Sequence, residues 1–414
     1  MDINTAPHKK AVKHRSQVPV QDIFLASLKL GLTSFGGPAA HLGYFHQEYV
    51  IRRKWIGEKA YADLVALCQL LPGPASSQVG IGIGLRCSGF LGAAAAWLGF
   101  TLPSALLLGL FAIAVQQMNI GEAPWLHGLK LTAVAIVAQA VWSLGAKLAS
   151  TRSKAAIAIG AASLSLLWPS TLSQIIVIGA AALLGLFLQR QETALVQPER
   201  PRAAEDRPDA PRYRPAIVYL GLYFALLLLL PLLSRWANSG LLPLLDGFYR
   251  AGSLVFGGGH VVLPLLQEEV VAQGWVSQSD FIAGYSAAQA VPGPLFTFAS
   301  YLGAIYGGAP GLAVATIAIF LPAFLLVAGA LPLWDWLSRS AAMQRALQGI
   351  HAAVVGILLA ALYDPIWTSA IFGPLDFVIA LCLFAVLVFF RLPPWCIVII
   401  GAAAGMLPEI LLLR

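Results

Sequence analysis

Lys29 and Arg250 lie in otherwise apolar stretches, each six residues before a Phe-Gly pair, Phe35-Gly36 and Phe256-Gly257. A basic side chain inside a membrane segment costs about 2.5–3.5 kcal/mol on insertion scales. A bound anion would offset that cost; the alternative is that each long stem snorkels to the interface. A second pair of breaks follows at Pro72-Gly73-Pro74 and Pro292-Gly293-Pro294, with Gln69 and Gln289 just ahead of them and Ser76, Ser77, Gln78 and Thr297 just behind. A helix restarting after each break presents unsatisfied N–H groups and the positive end of its dipole, which is the chemistry of an anion site in low dielectric. Gly36, Gly37, Gly73, Gly257, Gly258 and Gly293 allow the backbone to come close to such a ligand, while Ser and Thr in membrane helices also commonly bond their own carbonyls. His41 and His260, just beyond the glycine runs, titrate near neutrality and are candidates to carry a proton. Glu48 and Glu268, each seven residues before Trp55 and Trp275, are further candidates, or else solvated loop charges.

The elements that must position these residues follow from composition. The 414 residues are 58% hydrophobic and 11% charged, against roughly a quarter charged in a soluble protein, so a water-soluble fold is excluded. The net charge of +7 is spread over short loops with no basic helix, which argues against nucleic acid and for an orientation signal in a bilayer. Cys68, Cys87, Cys382 and Cys396 form no CxxC pair, so no metal, redox pair or cofactor is expected. The basic start (Lys9, Lys10, Lys13, Arg15) lacks a cleavage site, and the N-terminus, residues 1–20, is expected to be a retained cytoplasmic tail.

The breaks recur at offsets of 219–222: Leu102-Pro103 matches Leu321-Pro322, Gly128 matches Gly349, and IGAAA at 178–182 matches IGAAA at 400–404. This predicts two homologous repeats, 21–189 and 244–414, separated by a charged, Pro-rich cytoplasmic linker (190–215) and a linking transmembrane helix (216–234). Thirteen apolar segments are read, and the odd linking helix makes the repeats inverted. The fold class is therefore an all-α polytopic membrane protein with two inverted repeats whose broken or re-entrant helices meet near the midplane. Orientation by Lys and Arg favours re-entrance. With the breaks turning back, the loop carrying Arg52, Arg53, Lys54 and Lys59 is cytoplasmic and the loop carrying Glu268, Glu269 and Asp280 is external. That arrangement predicts four re-entrant segments and nine full crossings, among them 155–168, 172–188, 371–390 and 394–412.

SFGGPAAH (34–41), KWI (54–56), ALCQLLPGPASSQ (66–78) and FTLPS (100–104) in the first half, with VFGGGHVVLPLL (255–266), GWV (274–276) and AAQAVPGP (287–294) in the second, resemble the chromate ion transporter (CHR) family in its full-length, two-domain form. The resemblance covers about residues 20–410, with Ser77 standing where many members have Thr. It implies an exporter of chromate across the bacterial cytoplasmic (inner) membrane, driven by protons through alternating access. Chromate has nearly the shape of sulfate, so a sulfate or other oxyanion carrier is the first alternative. An intramembrane enzyme is disfavoured by the lack of paired carboxylates at one face or of HExxH, and a channel suits duplicated broken helices less well. The expected partners are the oxyanion, protons and lipid; the sequence leaves homodimerisation open.

Overall fold

A computed structural model describes residues 18–35, 37–117, 124–168, 171–188, 213–236, 240–256, 261–334 and 340–406, and every regular element among them is helical. In the first repeat, α1 (Val20–Thr33) stops at the extended Ser34, and α2 (Gly37–Phe45) runs on into a π-helical turn, His46–Arg52. Next, α3 (Glu58–Leu70) ends at Leu71 with φ −82° and ψ 147°, the extended geometry imposed on a residue that precedes proline. Beyond Pro74 the chain forms α4 (Ala75–Gln117), then α5 (Pro124–Leu148), α6 (Arg152–Leu167) and α7 (Thr171–Leu188). A peripheral helix, α8 (Tyr213–Trp236), leads to the second repeat: α9 (Leu241–Leu254), α10 (Val262–Val270), α11 (Gln278–Ala290) and α12 (Phe298–Ala330), then α13 (Ala341–Ala361), α14 (Pro374–Val388) and α15 (Pro394–Gly405).

Both α4 and α12 are two helices joined by a tight turn, at Ser88-Gly89 and at Gly307-Gly308, with φ of 63° at Gly89 and 59° at Gly308. Each first limb therefore folds back. Leu64 of α3 packs on Gly82 of α4, and Arg86 donates to the Ala60 carbonyl at 3.4 Å. In the second repeat Tyr301 covers Gly284 and donates to the Asp280 carbonyl at 3.1 Å. The partners stand nearly equidistant from their Pro-Gly-Pro break, which is the geometry of a re-entrant hairpin. The same holds at the Phe-Gly breaks, where Ser27 meets Tyr49 at 2.8 Å and Arg250 meets Glu269 at 3.0 Å. Non-helical backbone at this depth is tolerated because protein covers it.

The repeats are inverted. The long limbs of α4 and α12 pack antiparallel: Gly109 faces Leu312 and Trp97 lies 5.8 Å from Phe320 between ring centres, while Gln116 reaches the Ile305 carbonyl, just before the Gly307-Gly308 turn, at 2.8 Å. The α1–α2 and α3–α4 hairpins thus open at one end of the molecule, where the Ser88 hydroxyl donates to the Val18 carbonyl. Those of the second repeat open at the other end, where Gly307 lies against Leu241 and Trp275 against Tyr306.

Five described segments are long and apolar enough to cross a bilayer: 75–117, 125–148, 214–236, 295–333 and 341–367. The four late segments expected to cross fully are shorter. As described, α6, α7, α14 and α15 have 16, 18, 15 and 12 residues, roughly 18–27 Å at 1.5 Å per residue, against a hydrocarbon core of about 30 Å. They form two hairpins, each held by the other repeat. The α6–α7 pair lies on α13, where a Cβ on Gly349 would stand 2.0 Å from the Ala181 carbonyl oxygen. The α14–α15 pair lies on α5, where a Cβ on Gly128 would stand 2.0 Å from that of Gly401. Such small-residue contacts let membrane helices approach closely enough for dispersion to hold them.

Candidate functional site

The four breaks converge on one junction. Gly73 has φ +114° and Gly293 φ +107°, a region that essentially only glycine enters without strain. That backbone turns each N–H toward the opposite repeat: Gly73 donates to the Val255 carbonyl at 2.6 Å, and Gly293 to the Ser34 carbonyl at 2.9 Å. Each Pro-Gly-Pro turn is thus docked on the other repeat's Phe-Gly break. The turns are braced locally as well, since Gln78 Nε2 donates to the Pro72 carbonyl and the Thr297 hydroxyl to the Pro294 carbonyl, both at 2.7 Å.

A cavity of about 690 Å³ adjoins the junction of Ser34 and Gly293. Its wall includes Gly37, Gln139, Gln289 and Arg391, and it reaches Tyr44 and Trp142, toward the end at which the first repeat's hairpins open. Phe35 and Trp395 pack at 6.1 Å across it, seating the α14–α15 tip on the first break. Behind this wall His41 sits edge-on to Phe100 at 5.3 Å, with Nδ1 3.4 Å from the Ser76 hydroxyl. Buried polar groups normally have partners. Here Ser34 Oγ, His41 Nε2, Ser77 Oγ, Gln78 Oε1, Thr101 Oγ1 and Gln289 Nε2 are buried with no hydrogen bond inside the protein. The junction therefore concentrates neutral polar groups, all but the acceptor Gln78 Oε1 able to donate, where a small polar ligand would satisfy them.

The basic residues singled out from the sequence lie elsewhere. Lys29 Nζ is 3.1 Å from Glu48 Oε2 and its side chain is 49% exposed. Glu48, 6% exposed, also meets Arg53 at 2.7 Å and Arg52 at 3.4 Å. Burial alone would raise this carboxyl's pKa, but the hydrogen bonds from Arg53 and Lys29 outweigh it and hold Glu48 below the ordinary glutamate range. Arg250 spans two buried carboxylates, Asp246 at 3.2 Å and Glu269 at 3.0 Å. The counterpart of Glu48 is thus Glu269, not Glu268. Counting back from the shared tryptophan misleads by one because the turn before Trp275 is one residue shorter: the Trp N–H bonds the carbonyl of Tyr49, six back, in one repeat and of Val270, five back, in the other.

Gln69 is exposed rather than at the junction, and Glu268 is half-buried at the end of α10. Gly36, Gly257, Gly258 and His260 lie outside the described residues.

A family model described as chromate transporter matches residues 21–186 and 242–406. The chain belongs to the chromate transporter family. The chain is 28% identical to a chromate transport protein of Pseudomonas aeruginosa over 83% of this chain and 80% of that one. It is 27% identical to a chromate transport protein of Cupriavidus metallidurans over 83% and 81%, and 27% identical to an uncharacterized transporter of Methanocaldococcus jannaschii over 86% and 87%. No solved structure matches the chain.

The family match falls in two blocks, one on each inverted repeat, and leaves out the linker and all of α8. Within this transporter Ser34, Gln139 and Arg391 at the cavity, and Asp246 and Glu269 in the ion pairs, had escaped notice in the sequence. Glu269 was detectable, since it stands 221 residues after Glu48 just as Arg250 stands 221 after Lys29. Arg391 had a weaker signal, a lone basic residue between two closely spaced apolar segments.

Proposed function

We propose that this protein carries chromate out of the bacterial cytoplasm across the inner membrane, binding the dianion at the junction of the four breaks. The observation that supports it most is the reciprocal docking of each Pro-Gly-Pro glycine on the opposite repeat's break. That arrangement makes one shared site which a rocking of one repeat against the other would expose to alternate faces. The first repeat's hairpins, with Arg52, Arg53, Lys54 and Lys59, face the cytoplasm under the positive-inside rule, so the cavity leading to Tyr44 and Trp142 loads from that side. Sulfate, of nearly equal shape and charge, is the expected competitor.

Drive comes from the proton gradient. Expelling a dianion against an inside-negative potential is already downhill by about 4.6 kcal/mol at 100 mV, and proton coupling adds force when an importer keeps refilling the cell. Of the described candidates, His41 is the one at the junction, beside Ser76 and Phe100 with Nε2 unbonded. Glu48 is held ionised by three cations. A ring whose charge changes next to the anion makes occupancy by proton and by anion interdependent. Inverted membrane vesicles, with the potential clamped by potassium and valinomycin, should accumulate chromate in a manner abolished by protonophore. The pH dependence of half-saturation should flatten in His41→Gln. Uptake indifferent to protonophore under that clamp would exclude proton drive, and an unchanged pH profile would exclude His41.

A further inference from the structure

We propose that Arg391, at the tip of the α14–α15 hairpin, is the cationic contact of the transported oxyanion and makes the site one-sided. This inference rests on the carrier reading above. The repeats match in sequence, yet the segment between their last two helices differs in charge. At the offset of 222 that matches the two IGAAA segments, the counterpart of Arg391 is Pro169. The first repeat's tip therefore brings no cation at that position.

Arg391 is the one Lys or Arg among the described residues lining the cavity, and it makes no ion pair among the described residues. The other two intramembrane cations of the sequence pattern, Lys29 and Arg250, are already neutralised by carboxylates. Arg391 adopts φ +56°, a left-handed conformation that non-glycine residues enter infrequently and at some cost. Arg391 is exposed, and the segment that follows it is held by Pro393-Pro394 and by Trp395 packed on Phe35. The same wall holds Ser34, fully buried with its hydroxyl unpartnered, and Gln289, whose Nε2 has no hydrogen bond inside the protein. A planar guanidinium donating two parallel bonds, with a hydroxyl and an amide addressing other oxygens, suits a tetrahedral dianion. A lysine in the same place offers the charge without the fork.

The test uses full-length protein in proteoliposomes, with labelled chromate uptake measured across a concentration range. Arg391→Gln should raise half-saturation about tenfold or more, as expected for loss of a charge-assisted contact, with the maximal rate changed by no more than about twofold. Arg391→Lys should fall between, and Lys147→Gln, at the end of α5, should match wild type. Quenching of Trp142 and Trp395 fluorescence by chromate, in detergent, reads binding without transport and should show the same order. Wild-type half-saturation in Arg391→Gln would overturn the proposal and leave the carrier reading standing. Should Arg391→Gln not fold, Arg391→Lys decides, and wild-type affinity in it overturns the forked contact. A wild-type protein that neither moves nor binds chromate would sink the carrier reading and this inference with it.

Discussion

Arg250→Gln should destabilise the protein by about 3–5 kcal/mol, the usual cost of removing one partner from a buried charge network. Its loss removes the cation that bridges Asp246 and Glu269, whose side chains are 8% and 7% exposed. Lys29→Gln, the matching change in the first repeat, should cost about 1 kcal/mol or less, as for an exposed pair. Lys29 is half exposed, and Glu48 keeps Arg53 at 2.7 Å and Arg52 at 3.4 Å. Unfolding midpoints of the purified proteins in one detergent, followed by tryptophan fluorescence, compare the two directly. Adding Glu269→Gln to Arg250→Gln should restore part of the loss, because it removes one of the two carboxylate charges that Arg250 bridges. Equal shifts in the two single variants would contradict this account of the ion pairs.

Gly293→Ala and Gly73→Ala should each lower chromate flux tenfold or more while the protein still reaches the membrane. At φ near +110° an added Cβ strains the backbone, and the turn can relax only by giving up its hydrogen bond to the other repeat. Together these are worth about 2–4 kcal/mol. At Gly293 the new methyl would also stand 2.9 Å from Ser104 Oγ. Gly160→Ala, in α6 with open space around it, is the control and should behave as wild type. Transport at the wild-type rate in either turn variant would show that the reciprocal docking is not needed.

The breaks themselves were legible, because Gly and Pro exclude a straight helix wherever they stand and their repetition at a nearly constant offset marks both repeats. Inversion was legible through the odd linking helix and the sign of the loops. What the breaks touch was not: the bonds from Gly73 to Val255 and from Gly293 to Ser34 join residues some 180 and 260 positions apart. Lys29 looked like an unpaired intramembrane cation because Glu48 lies 19 residues on, across a hairpin whose fold-back no local pattern displays; Glu269 is as far from Arg250, although Asp246, four residues before it on α9, was a legible partner. Hydropathy also did not show that α6, α7, α14 and α15 pack on the other repeat, since a helix covered by another repeat is as apolar as one covered by lipid.

The claim that matters most is that a saturable chromate site lies at this junction, and counterflow in proteoliposomes tests it most directly. Vesicles holding the purified protein, preloaded with unlabelled chromate and diluted into labelled chromate, should take up label transiently above its external level. Sulfate inside should substitute in part, and Gly293→Ala should abolish the overshoot. Label uptake that never exceeds equilibration, or that matches protein-free liposomes, would contradict a chromate carrier.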